Sequence, residues 1–159
     1  MSDINIIEQK EPYDTAANIA IVRSQFNGFV VDKLFDGAIR TLNQYGIDGE
    51  SITVVKVPGA FEIPVAVKAL LDKGQFAAVI TLGTIIRGET PHFEYIANEC
   101  AHGISQLAIN TGVPVIFGVL TVDNVDQALD RAGEEESNKG SEAALAALEM
   151  IGVIKKIKL

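Results

Sequence analysis

A dense group of reactive residue types stands where one long apolar run gives way to a helix-like pattern. Positions 83–96 read GTIIRGETPHFEYI, with Arg87, Glu89, Thr90 and His92 close together. These types supply a cation, a carboxylate, a hydroxyl and an imidazole, which are groups that bind anions and move protons. His92 falls in the first helical turn, where the helix dipole favours the neutral imidazole that accepts a proton. The stretch is therefore a candidate catalytic segment.

Each of these residues also has an ordinary structural interpretation. Thr90 and Pro91 suit the N-cap and N1 positions of a helix, although free N–H groups at such a start also bind phosphate. Arg87 and Glu89 could pair with each other on the surface. His92 could be a surface histidine without a chemical role. Residue types alone leave both interpretations open.

Three other apolar runs end in equally unusual residues. They end in RSQFNG (23–28), PGAFE (58–62) and LTVDN (120–124). Phe26, beside the turn-forming Asn27-Gly28, suits a ring that stacks on a ligand as well as a core residue. Gly59 permits a strand-to-helix turn, and Glu62 suits either a first-turn carboxylate or a hydrogen-bonding group for a ligand. Because ligands bind beyond the carboxyl ends of parallel strands, four such ends on one edge predict a site there.

Two cations flank the connection between the last two predicted helices. Arg131 ends one helix and Lys139 begins the next, so a short connection could bring them together around a phosphate. The alternative is a pair of solvated surface charges. Glu134, Glu135 and Glu136 lie between them and oppose phosphate binding electrostatically.

No metal or disulfide site is expected. His92 and His102 are ten residues apart on one predicted helix, about 15 Å along its axis, which is too far to share an ion. Cys100 is the only cysteine, so a zinc site and a disulfide framework are both disfavoured. It lies on the predicted core face and is expected to be inert packing. No GxGxxG or P-loop pattern occurs.

Composition limits the class of protein. The 159 residues are 48% apolar, which predicts one globular domain with a sizeable core. A net charge of −8 argues against nucleic acid and anionic membranes as partners. The longest apolar runs are about ten residues, too short to span a bilayer. No signal peptide is recognisable, and the single cysteine suits a reducing compartment, so we expect a cytoplasmic protein.

The apolar pattern predicts four strands, each followed by a helix, with one additional helix. The strands are expected at 19–23, 51–57, 76–86 and 114–121. The helices are expected at 28–46, up to about 74, 91–110, from Asp123 or Asn124 to about 133, and 138–156. Apolar runs without alternation indicate strands covered on both faces, which predicts a flavodoxin-like three-layer α/β/α fold with a four-stranded parallel sheet. Residues 1–17 lie outside this pattern as an N-terminal arm to a single domain at 18–159.

Five motifs together resemble the lumazine synthase family of riboflavin biosynthesis. They are FNGFV, PGAFEIP, GTIIRGETPHFEYI, PVIFGVLT and RAG…NKGSEAA, between about residues 19 and 156. The resemblance implies a cofactor-free transferase. Its reaction joins 5-amino-6-(D-ribitylamino)uracil to 3,4-dihydroxy-2-butanone 4-phosphate, giving 6,7-dimethyl-8-ribityllumazine, phosphate and water.

The resemblance also implies two groups of site residues. Those expected to bind the pyrimidine and its ribityl chain are Phe26, Asn27, Gly59, Ala60, Phe61, Glu62, Thr84, Ile85, Ile86 and Phe117. Those expected to bind the phosphate are Glu89, Thr90, Arg131 and Lys139. His92 is the expected proton shuttle. Phe117 and Arg131 are expected to complete a neighbouring subunit's site, with Lys139 contributing nearby.

An oligomer follows from the same resemblance. The family's common unit is a ring of five, and some members stack twelve rings into a sixty-subunit shell. Pro12 and the acidic loop at 134–137, which departs from the family pattern, favour the pentamer. The apolar INII segment (4–7) could add a strand to a neighbour's sheet. A functional link to riboflavin synthase is also implied.

Two other classes of protein compete with this enzyme. A catalytically silent flavin- or lumazine-binding protein could share the scaffold, but it would need neither His92 nor Arg131. A flavodoxin-like regulatory module needs a phosphoacceptor aspartate at a strand end. The third strand ends at Arg87 instead, and Asp123 alone is weak support.

Overall fold

The computed structural model describes residues 3–159, which form a four-stranded parallel sheet in the order β2-β1-β3-β4. The strands are β1 (Ile19–Ser24), β2 (Ile52–Val57), β3 (Ala78–Ile86) and β4 (Val115–Val122). The helices are α1 (Gly28–Gln44), α2 (Ile63–Asp72), α3 (His92–Thr111), α4 (Val125–Asp130) and α5 (Lys139–Ile157). Short 3₁₀ turns lie at Gly49–Ser51, Ala60–Glu62 and Glu135–Ser137. The predicted order of elements is confirmed.

Helices cover both faces of the sheet and enclose two separate hydrophobic cores. On one face α1, α4 and α5 pack over the β1 residues Ile19 and Ile21. On the other face α2 and α3 pack over Ala20 and Val22 of the same strand. Successive strand residues point to opposite faces, so a strand that is apolar at every position serves both cores. The predicted three-layer α/β/α fold is confirmed.

Only the central strands are completely or almost completely buried. Every residue of β1 is buried, whereas β2 and β4 contain exposed positions such as Val54 and Phe117. These strands lie at the sheet edges, where helices cover them less fully. The expectation that all four strands are covered on both faces is therefore wrong for the two edges.

Side-chain caps begin two of the helices, and the sequence predicted the cap of α4. Asn124, rather than Asp123, caps α4, since its Oδ1 accepts from the N–H of Gln127 at 2.9 Å. Asn138 caps α5 through Ser141 N–H at 3.0 Å. The expectation for α3 is wrong, because Pro91 occupies the N-cap position in place of Thr90 and α3 has no side-chain cap. The proline ring carries no oxygen that could accept from the first-turn N–H groups.

Helices α1 and α5 approach closely around Asn138. This side chain is 1% exposed, and its Nδ2 donates to the carbonyl oxygens of Lys33 at 3.0 Å and Gly133 at 2.9 Å. Gly37 of α1 faces the Asn138 side chain, and Gly140 of α5 faces the Leu34 backbone, leaving no room for a Cβ at either position. Two glycines and one buried amide therefore set the distance between these helices.

Candidate active site

A cavity of about 780 Å³ opens at the carboxyl edge of the sheet. The ends of β1, β2 and β3 and the first turns of α3 form its walls. The predicted site residues that line it are Phe26, Asn27, Gly59, Ala60, Phe61, Glu62, Thr84, Ile85, Ile86, Thr90 and His92. Parallel strands bring these scattered segments together because all their carboxyl ends meet at one edge.

The turn after β1 holds Phe26 at the mouth of this cavity. The Phe26 N–H donates to the Pro58 carbonyl at 2.9 Å, yet the residue is 72% exposed. Asn27 has a left-handed backbone with φ 59°, a conformation that asparagine tolerates better than most residues. Its Nδ2 donates to the Thr84 carbonyl at 2.9 Å and so ties the turn to β3. The ring is thus anchored through its backbone while its faces stay available for stacking.

The segment after β2 presents a carboxylate to the cavity. Gly59 is extended, and Ala60–Glu62 form a 3₁₀ turn that leads directly into α2. A Cβ placed on Gly59 would lie 3.6 Å from Glu62 Oε2, so the carboxylate lies over the glycine backbone. Glu62 precedes α2, where the helix dipole stabilises negative charge. This arrangement can bind hydroxyl groups through both the carboxylate and nearby backbone N–H groups.

Two buried hydroxyls lie beneath the cavity at the ends of the central strands. Ser24 is 1% exposed and Thr84 is 3% exposed. Neither hydroxyl has a hydrogen-bond partner among residues 3–159. A buried hydroxyl without a partner typically costs about 1–3 kcal/mol. Of these two residues only Thr84 lines the cavity, so one unsatisfied hydroxyl belongs to its wall.

The first turn of α3 supplies the imidazole. His92 is the first residue of the helix, within the first turn that the sequence predicts, and it is exposed. Tyr95 also lines the cavity and is 69% exposed, a neighbour that the sequence motifs did not indicate. Its position three residues after His92 places both on one helix face, and that spacing was the available signal. Glu89 is exposed and lines neither this cavity nor the second one described below, so its proposed role stays a prediction.

Arg87, which follows β3, does not pair with Glu89 as the surface interpretation supposed. Its Nε donates to Asp123 Oδ1 at 2.9 Å, and its NH1 lies 3.7 Å from Glu94 Oε1. Its Cζ also lies 4.5 Å from the centre of the Phe93 ring. The hydrogen bond to Asp123 is the main cause of a raised pKa of the Arg87 guanidinium.

A second cavity, of about 430 Å³, contains three more of the predicted residues. Phe117, Arg131 and Lys139 line it, and none of them lines the first cavity. The Lys139 N–H donates to the Arg131 carbonyl at 2.8 Å, so the connection brings the two residues together at the backbone. Lys139 Nζ also pairs with Glu142 Oε2 at 2.8 Å. One chain therefore divides the predicted site residues between two separate cavities, with Glu89 in neither.

The described residues give little support to a metal site, a reactive thiol or a membrane-spanning helix. Within residues 3–159, no three His, Cys, Asp or Glu side chains cluster as metal ligands. Cys100 is buried as predicted, and burial raises the pKa of its thiol to about 11, which keeps it unreactive at neutral pH. Over the same range, none of the helices has the length and apolar character needed to cross a membrane.

The fold and the cavity define a flavodoxin-like α/β protein with its candidate site at the carboxyl edge of the sheet. Residues 16–155 match the family model described as 6,7-dimethyl-8-ribityllumazine synthase. A protein of that name from Edwardsiella ictaluri (strain 93-146) is 54% identical over 143 residues, covering 89% of this chain and 92% of the relative. The chain belongs to the 6,7-dimethyl-8-ribityllumazine synthase family, whose members are transferases of riboflavin biosynthesis.

The predicted family and enzyme class are thereby confirmed. Neither the family match nor the relative supports a silent binding protein. The regulatory alternative also loses its one candidate residue, since the Asp123 carboxylate pairs with Arg87.

Proposed function

We propose that this chain condenses 5-amino-6-(D-ribitylamino)uracil with 3,4-dihydroxy-2-butanone 4-phosphate at a site built from two subunits. The observation that carries the shared site is the separation of the two cavities. Phe26 and His92 line one, while Phe117, Arg131 and Lys139 line the other. When the first cavity of one subunit meets the second cavity of the next, both groups of residues surround the substrates.

The first cavity holds the pyrimidine and its ribityl chain. Phe26 stacks on the ring, and the backbone of Thr84, Ile85 and Ile86 bonds its polar edge. The segment Gly59–Glu62 binds the ribityl hydroxyls through N–H groups and the carboxylate. Phe117 of the neighbouring subunit closes over the ring. An exposed aromatic beside backbone polar groups at the edge of β3 supports this assignment.

His92 moves the protons that the reaction requires. The 5-amino group attacks the ketone and loses water to form a Schiff base, and phosphate is then eliminated. The ribitylamino nitrogen attacks the remaining carbonyl carbon and closes the new ring with loss of a second water. Each step shifts protons between nitrogen, carbon and oxygen. An imidazole at the cavity wall can accept and return them near neutral pH. Positioning two substrates together supplies much of the remaining acceleration.

The second cavity binds the phosphate group. Arg131 offers its guanidinium fork, and among the side chains that the structure describes it forms no ion pair that would compete. Lys139 contributes a second cation, although Glu142 shares it. Thr90 and Glu89 of the adjoining subunit complete the phosphate end of the site. Glu136 of the acidic loop lines a third cavity together with Arg40 and does not line the second cavity. Part of the negative charge of this loop therefore lies away from the phosphate-binding residues.

The assembly that shares these sites is a pentamer, with a sixty-subunit shell as the alternative. A ring lets one contact repeat until it closes. The arm supports an assembly, since Ile4 and Ile6 are 69% and 72% exposed while the next part of the arm contacts α5 through Lys156 Nζ and the Glu8 carbonyl at 2.6 Å. Partly exposed β2 offers an edge to which a neighbour's residues 4–7 could add a strand. We place the enzyme in the cytoplasm, and its lumazine product suits a riboflavin synthase as the next enzyme.

Mixing the protein with both substrates tests the reaction directly. The fluorescent lumazine product and free phosphate should form together and in equal amounts. Each substrate alone should give neither signal. Binding of lumazine without any turnover at high protein concentration would contradict the proposal and favour a silent binder.

Replacing Arg131 with alanine should weaken binding of the phosphorylated substrate and leave binding of the pyrimidine almost unchanged. A hydrogen bond to a charged group contributes roughly 1.5–3 kcal/mol, which corresponds to about 10- to 150-fold in KM. Steady-state kinetics with each substrate varied in turn measures this difference. Arg40→Ala removes the same kind of side chain outside both cavities and serves as the control. An equal rise in KM for both substrates would point to a role of Arg131 in folding or assembly instead.

Light scattering should find a particle of about 85 kDa, the mass of five 17.0 kDa chains, and not one near 1 MDa.

Mixing Phe26→Ala and Arg131→Ala subunits after dissociation should restore part of the activity, because some interfaces then contain neither change. A fully active particle near 17 kDa would exclude shared sites. So would a lack of recovery after proven subunit exchange.

A further inference from the structure

We propose that Arg87 is a positioning residue that holds two separate parts of the catalytic apparatus, the first turn of α3 and helix α4. The inference rests on the proposed functions of His92 and Arg131. Arg87 lines neither cavity, so it acts through its neighbours and not on the substrates. Its side chain is nevertheless committed to contacts on two different elements.

The first set of contacts reaches the helix that begins with His92. Phe93 and Glu94 follow His92 directly, and Arg87 contacts both, with its guanidinium over the ring and NH1 beside the carboxylate. Helix α3 has no side-chain N-cap, so the usual capping bond does not fix its first turn. The guanidinium lies against two consecutive first-turn residues and fixes the position of this turn in place of a capping bond. The direction of the imidazole therefore depends on Arg87.

The second set of contacts leads to Arg131. Arg87 Nε donates to Asp123 Oδ1 at 2.9 Å, and the Asp123 N–H donates to Gln127 Oε1 at 2.7 Å. The Gln127 carbonyl in turn accepts from Arg131 NH1 at 2.9 Å. The contacts thus form a continuous path from the end of β3, through the start of α4, to the phosphate-binding guanidinium.

The geometry requires arginine and not merely a positive charge. An exposed ion pair contributes little by itself, and Arg87 is 47% exposed. The planar guanidinium, however, stacks on Phe93 while one edge donates to Asp123, and a lysine ammonium cannot do both. The function of the residue is therefore orientation, with little expected effect on the stability of the fold.

Kinetics of three variants tests this inference. Arg87→Met keeps an apolar stem over Phe93 and removes every donor. We expect kcat to fall about 5- to 50-fold, since small displacements of a reacting group can cost up to 10²-fold. KM for the phosphorylated substrate should rise roughly 3- to 10-fold, and KM for the pyrimidine should stay within about twofold. Arg87→Lys should recover only a small part of the lost kcat.

Gln127→Met separates the two sets of contacts. It removes the acceptor of the Asp123 N–H and leaves the contacts of Arg87 with α3 intact. We expect KM for the phosphorylated substrate to rise while kcat stays near the wild-type value. Inorganic phosphate serves as a competitive inhibitor. In both Arg87→Met and Gln127→Met, its inhibition constant should rise by the same factor as KM for the phosphorylated substrate.

Lys68→Met is the matched control, because Lys68 is a 57% exposed cation paired with Asp72 at 2.6 Å and lies outside both cavities. It should leave all constants unchanged. Wild-type turnover in the same assay establishes the reaction itself, so a failure of the proposed function would appear there. Wild-type constants for Arg87→Met would overturn the inference, and so would an equal loss for both substrates accompanied by a lower melting temperature. If Arg87→Met does not fold, Asp123→Asn must show the same pattern of changes at smaller size.

Discussion

Replacing His92 with alanine is expected to lower kcat by about 10- to 10³-fold, with little change in KM for either substrate. The methyl group cannot accept or return a proton, whereas the walls that hold the two substrates remain. Positioning alone should therefore maintain slow turnover. Single-turnover measurement of lumazine formation at saturating substrates gives the rate of the chemical steps.

His102→Ala is the control, since this histidine is exposed on the same helix but does not line the cavity. Its kcat should match that of the wild type. Wild-type turnover by His92→Ala would show that this histidine merely begins a helix.

Replacing Gly140 with alanine is expected to lower the stability of the fold by roughly 3 kcal/mol. The new Cβ would overlap the backbone of Leu34 and lie 2.9 Å from Asn138 Oδ1. Backbone cannot rotate aside as a flexible side chain can, so α1 and α5 must move apart and the bonds of Asn138 must lengthen. For a chain of this size, that loss corresponds to a melting temperature lower by about 6–12 °C.

Gly28→Ala provides the comparison, because a Cβ at this helical position meets nothing within 4 Å. Its stability should stay within about 1 kcal/mol of the wild type and can rise, since alanine favours helices more than glycine does. Thermal unfolding of both variants at one protein concentration measures the difference. Equal melting temperatures for Gly140→Ala and the wild type would show that the helices can separate without loss.

The order of elements could be predicted from the sequence because it follows from local periodicity. An apolar run such as 78–86, without alternation, indicates a strand covered on both faces, and the pattern after His92 indicates a helix. Parallel strands then place every carboxyl end at one edge, so the sequence pattern suffices to assign Phe26, Glu62 and His92 to one region. The family followed from five motifs, three of which include those same strand ends.

Pairing between distant side chains could be seen only in the tertiary structure. Arg87 and Asp123 are 36 positions apart, and their hydrogen bond depends on the β3–β4 register and on the turn before α4. The separation of Arg131 from His92 likewise depends on how helices cover the sheet, which no local pattern records. The sequence by itself determined which chemical groups stand at the strand ends. Their distances, partners and division between two cavities were decided by packing, because those quantities arise from contacts between elements and not within them.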